Sequence, residues 1–152
     1  MQIIRDKILT KSYHGAIMIV RSEVVLLTYG LSPSDRKKVE EFIPRMKALL
    51  ATHEYTIQIN EKNREFDKAF PLRDADKWMI LKSLVADDCV KVEPNNNPRY
   101  PDNEVFVFCK EATVVVYGES EELQLYLKMY IQESKTYDLV IVISFHQAGM
   151  FD

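Results

Sequence analysis

Apolar residues in this chain gather into short runs separated by polar punctuation, with helical patterns set between them. The runs 16–20 and 24–29 are almost continuously apolar and rich in Val, Ile and Leu. That pattern predicts strands covered on both faces, or on one face plus an interface, joined by a turn at Arg21-Ser22-Glu23. Residues 2–10 carry Ile3, Ile4, Ile8 and Leu9 and read equally as a short helix or an edge strand. Gly30 ends the second run, and Ser32-Pro33-Ser34-Asp35 reads as a helix start. Ser32 suits the N-cap, and Pro33 suits the first helical position because it has no N–H to lose there. Val39, Phe42, Ile43, Met46, Leu49 and Leu50 then share one helical face. Pro44 lies inside that pattern and predicts a kink or a break, since it removes a hydrogen bond and crowds the carbonyl of Glu40.

Tyr55, Ile57 and Ile59 alternate with Thr56 and Gln58, as in a half-buried strand. Residues 60–73 are polar and irregular apart from Phe66, Phe70 and Leu72, and read as a linker docked onto the core. Asp74 to Ala86 predicts a second helix with Trp78, Leu81 and Val85 on one side, and 89–93 a strand. Residues 94–103 hold three of the six prolines and four Asn, which excludes regular structure. Strands are expected at 104–109 and 112–117. A helix capped by Ser120 then follows, with Leu123, Leu127, Tyr130 and Ile131 as its buried stripe. The strand 138–145 is the most apolar and should be central.

The two halves echo each other. Glu23, Tyr29, Gly30 and Ser32 in one segment are matched by Glu111, Tyr117, Gly118 and Ser120 at equal spacing in another. Each segment follows an apolar run and precedes a helical pattern and a third apolar run. The expected fold is therefore α+β: a single, predominantly antiparallel sheet of six or seven strands with about three helices, mainly on one face. A pseudo-twofold repeat of a strand–strand–helix–strand unit would comprise half-repeats 14–60 and 102–145, linked by 61–101, within one globular domain over 1–152. Four shared residues in ten also arise by convergence, because a strand ending in Tyr-Gly before a Ser-capped helix is a common local solution.

Composition narrows the function classes. A chain of 152 residues with 47% apolar and 28% charged positions has enough apolar surface to build a core. A net charge of −3 provides no global attraction to nucleic acid or anionic membrane. No apolar run approaches the ~20 residues that span a bilayer, and the charges in the first seven residues do not fit a signal peptide. Two cysteines do not make a disulfide scaffold, so a reducing cytoplasm is the expected compartment. Cys89 and Cys109 would be neighbours if 89–93 and 104–109 pair antiparallel, and are expected as buried thiols.

Candidate chemistry is sparse. The four glycines never form a phosphate cradle, and the three histidines are isolated from other metal ligands, so neither cofactor nor metal is expected. Asp87 and Asp88 could meet Asp102 and Glu104 across the expected hairpin, and His14 could meet His146 if strand ends converge. Residues 74–109 echo the helix and wing of a winged-helix DNA binder, but Asp74, Asp76, Asp87 and Asp88 make that segment too acidic for a phosphate-facing surface. The loop 94–103 instead combines proline rigidity with Arg99 and Tyr100, residue types enriched at interface hot spots, and Asp102 closes it.

These features favour an intracellular binding or regulatory protein of inhibitor, immunity or adaptor type. It would act by protein–protein contact through Arg99, Tyr100 and Asp102, and its acidic balance would suit a basic partner. The alternative is a small hydrolase or nucleotide-processing enzyme with a pocket between the halves. The third reading is nucleic-acid binding through 74–109. The sequence leaves the oligomeric state open.

Overall fold

The computed structural model describes residues 30–100 and 102–149. A division of the chain falls after Ser32, and the described residues belong almost wholly to the unit Pro33–Asp152. Helix α1 (Pro33–Ala51) leads into strand β1 (Tyr55–Ile57) and helices α2 (Glu61–Ala69) and α3 (Asp74–Lys82). A short 3₁₀ turn at Ala86–Asp88 precedes β2 (Cys89–Glu93), β3 (Val105–Val116), β4 (Glu119–Gln132) and β5 (Leu139–Gln147). The five strands form one sheet in the order β1-β5-β4-β3-β2. Among the described residues only the β1–β5 pair is parallel, so the sheet they form is predominantly antiparallel. The expected strands 16–20 and 24–29 lie outside the described residues.

α1 begins at Pro33, as its N-terminal signature predicts, with Asp35 in the first turn, where negative charge suits the helix dipole. It does not divide at Pro44. Helical structure runs through that residue, which faces solvent, so water can satisfy the Glu40 carbonyl that loses its donor. The helix ends in a Schellman motif. His53 N donates to Leu50 O at 3.0 Å and Glu54 N to Leu49 O at 2.8 Å, with His53 itself at φ 60. Val39, Phe42, Met46 and Leu50 form the buried stripe of α1. Phe42 stacks on Phe106 with ring centroids 4.0 Å apart and lies 6.2 Å from Phe108.

Residues 60–73 are not a linker, because α2 occupies most of them. Asn60 caps this helix by accepting Asn63 N at 2.9 Å, and Phe66 is fully buried 6.0 Å from Phe145. Phe145 pairs with Leu127, which pairs with Phe108, so α1 and α2 cover the same face of the sheet. α3 stops at Lys82, short of the expected Ala86. Leu84 is buried in place of Val85, which is exposed. Trp78 Nε1 donates to Leu50 O at 2.8 Å and fastens α3 to α1.

The largest correction concerns residues 119–132. They form β4, not a helix, and pair antiparallel with a β3 that runs unbroken where two strands were expected. Tyr117 and Gly118, at φ 54 and φ 79, make the two-residue turn. Positive φ at both central positions matches the twist of the flanking strands, and Gly adopts it without a Cβ penalty. The Gly118 junction therefore joins strand to strand, whereas α1 follows Gly30. The second half-repeat does not have a strand–strand–helix–strand order.

Candidate functional site

Two surface depressions among the described residues combine polar and apolar groups. The first is a groove of about 280 Å³ beside the loop 94–103. Phe42 and Phe106 and, from β4, Ile131 lie at its base, nearly buried. Lys38, Glu41 and Arg45 line it from α1, and Asp102, Asn103, Glu104 and Glu133 from the sheet end. Helical spacing places Lys38, Glu41 and Arg45 on one side of α1, flanking Phe42.

Most of the rim charges are neutralised locally. Lys38 Nζ donates to Glu104 at 2.6 Å, and this bond holds the ammonium above its ordinary pKa. Arg45 donates to both Glu133 and Asp138 at 2.9 Å, clasping α1 to the β4–β5 connection. Glu41 and Asp102 carry no ion pair among the described residues, which leaves the rim with two uncompensated carboxylates.

The second depression is a cleft of about 500 Å³ at the edge of the sheet. It is lined by residues 55–59, by Asn63, Arg64 and Asp67 of α2, by Asp74 and Lys77 of α3, and by Phe145. Lys77 is only 13% exposed. It pairs with Asp67 at 2.7 Å and lies 5.9 Å from the Phe145 ring. Burial, with the Asp74 charge nearby, raises the Tyr55 hydroxyl above its ordinary pKa.

The sequence-selected residues separate. Arg99 is exposed, as is Asp102 at the groove. Tyr100 does not point outward: its ring lies 6.2 Å from Tyr130 and packs against Val105, Tyr130 and Ile141. Asp87 and Asp88 do not join Asp102 and Glu104. Cys89 pairs with Phe108 and Glu93 with Val105, which puts the two acidic groups at opposite ends of the β2–β3 ladder. Asp87 instead meets Arg36 at 2.7 Å, and Asp88 meets Lys110 at 3.3 Å. His146 is buried and stacked on Tyr126 at 5.4 Å, while His14 lies outside the described residues.

Cys89 and Cys109 are both buried thiols, but they are not facing neighbours. Cys89 opposes Phe108, so Cys109 belongs to the other face of β3. Burial pushes the thiols up to about 12 and about 11, respectively, away from the thiolate that nucleophilic chemistry requires. Among the described residues, no group of three or more His, Cys, Asp or Glu is placed to hold a metal ion. No helix among the described residues is long and apolar enough to cross a membrane. On the segment with the winged-helix echo, Arg73 pairs with Asp76 and Lys77 with Asp67. Comparison with protein-family models, curated proteins and solved structures found no significant match to this chain.

Proposed function

We propose that this is a binding protein of inhibitor, immunity or adaptor type, which acts by contact with another protein at the groove beside the loop 94–103. The groove itself carries the reading: an apolar base of Phe42, Phe106 and Ile131 within a ring of charge. That is the arrangement of an interface centre, where an inserted side chain is shielded from water by polar neighbours. Glu41 and Asp102, the rim carboxylates without an ion pair, favour a partner that inserts an apolar group flanked by Lys or Arg. The net charge of −3 acts in the same direction and would speed encounter with a basic surface.

A photo-crosslinking side chain at Asn103, which lines the groove, used in an extract of the native host, tests the proposal. It should capture a basic protein, and the capture should vanish in the Glu41→Lys, Asp102→Lys double variant while the melting temperature holds. Equal capture of the same protein from position Tyr117, at the far end of the β3–β4 hairpin, would refute the assignment.

A further inference from the structure

The two edges of the sheet are treated differently. β2 carries Lys91 and Glu93, joined at 3.2 Å, with Lys128 on Glu93 at 2.9 Å, and Pro94 follows directly. Charge and proline are the usual protections of an edge against pairing with another chain. The opposite edge, Tyr55-Thr-Ile-Gln-Ile-Asn60, contains neither, and charge resumes only at the flanking Glu54 and Glu61. Among the described residues β1 pairs with β5 alone. Val140 N donates to Glu54 O at 3.1 Å and Gln58 N to Val142 O at 2.9 Å. The peptide groups of 54, 56 and 58 thus face β5, and alternation turns those of Tyr55 and Ile57 outward. Beside this edge, Ile59 is 82% exposed and the cleft stands open.

We propose that a second copy of this chain pairs antiparallel with β1 across a twofold axis, and that Ile59 of each copy enters the cleft of the other. Centring the axis on Ile57 sets that residue opposite its counterpart and Tyr55 opposite Ile59 of the second copy. The outward peptide groups then meet as hydrogen-bonded pairs, and directly opposed side chains share a face. Tyr55 lines the cleft, so the Ile59 opposite it lands there.

One oppositely charged pair, Asp74 and Arg64, agrees with this operation. Asp74 acts on Tyr55 at the start of β1, while Arg64 N bonds Asn60 O at 2.9 Å three residues beyond its end at Ile57, and both Asp74 and Arg64 line the cleft. Antiparallel pairing brings the Asp74 end of one copy to the Arg64 end of the other, twice. A self-complementary patch of this kind is what an isologous interface requires. The edge is bounded by the His53 turn and by the Asn60 and Asn63 side chains on Ile143 O, so the interface is small and the dimer weak.

Sedimentation velocity on the full chain from about 1 to 500 µM tests the proposal, with a monomer–dimer equilibrium of micromolar dissociation constant expected. Ile59→Asp should weaken it about tenfold or more. Ile57→Pro should do the same, because it removes an outward N–H and leaves the β5 ladder intact. Circular dichroism and melting temperature verify that each variant is folded. Arg64→Asp and Asp74→Arg sit at exposed positions and should each weaken self-association. An equimolar mixture of those two variants should recover it, since both contacts in the mixed dimer regain opposite charges. A chain that stays monomeric throughout would overturn the proposal. So would a dimer indifferent to Ile59→Asp and to the charge reversals, or a mixture no stronger than its separate components.

Discussion

The side chain of Asn63 completes the hydrogen bonding of β5 where β1 leaves it: Phe145 N donates to Asn63 Oδ1 at 2.9 Å. The same amide donates through Nδ2 to Ile143 O at 3.0 Å and to Gln58 O at 2.8 Å. The β4–β5 register shifts here, passing from Lys128↔Ser144 to Met129↔Val142. Ile143 is the extra residue of that bulge, and Asn60 Nδ2 also reaches its carbonyl, at 2.8 Å. Two asparagines thus occupy the ladder positions a longer β1 would have filled.

Replacing Asn63 with Ala should destabilise the protein by about 2–4 kcal/mol, because three backbone groups lose a buried partner together. Urea denaturation measures this directly. A loss below about 0.5 kcal/mol would mean that water replaces the amide without cost.

The hairpin turn should respond in the opposite sense. Tyr117 is 85% exposed and held at φ 54, a conformation that suits Asn far better than Tyr. Tyr117→Asn should therefore stabilise the fold by about 0.5–1 kcal/mol, and Gly118→Ala should destabilise it by about 1 kcal/mol. Thermal melts of the two variants should move in opposite directions.

This turn also shows where the sequence could be read and where it misled. α1 carries a start signal and a clean apolar face, while β1, β2 and β5 carry local alternation or continuous apolar character, and all four were legible. In 123–131 the residues Leu123, Leu127, Tyr130 and Ile131 fit a helical stripe, which suggested the wrong element. Leu125 and Met129 would then lie off that stripe, whereas Leu123, Leu125, Leu127, Met129 and Ile131 alternate without exception. Period two was the better fit, and all five are buried. Tyr-Gly concealed the turn because the common hairpin signal is Asn-Gly or Asp-Gly. The groove was illegible for another reason. Glu41 and Asp102 line one groove only through the packing of α1 on the sheet, which no local pattern encodes.

The thiols give a pH prediction. Burial lifts Cys89 to about 12 and Cys109 to about 11 from an unfolded value near 9. A folded pKa above the unfolded one means that the native state holds the proton more tightly. The stabilising contribution is complete below pH 9 and declines as pH rises through 9 toward 11–12. Stability measured between pH 8 and 10.5 should therefore fall at the upper end, and a Cys89→Ala, Cys109→Ala variant should fall less steeply. At pH 8 both native thiols should resist alkylation that is rapid in denaturant.

Arg99 and Tyr100 are adjacent in sequence but should separate cleanly by experiment. The guanidinium of Arg99 is exposed, so Arg99→Ala should change stability by no more than about 0.5 kcal/mol. Tyr100 packs against Val105, Tyr130 and Ile141 and pins the loop to the face of the sheet opposite α1 and α2. Tyr100→Ala should cost about 1–3 kcal/mol by uncovering that cluster. Tyr100→Phe should cost little, because the ring makes the contacts. If Arg99 lies at the partner surface, its replacement should weaken capture without altering the melt. Tyr100→Ala should weaken capture only to the extent that it frees the loop, so lowering the temperature should restore binding in that variant and not in Arg99→Ala. Parallel melts and binding isotherms at two temperatures distinguish the two roles. A stable Tyr100→Ala variant would instead return that side chain to the contact surface.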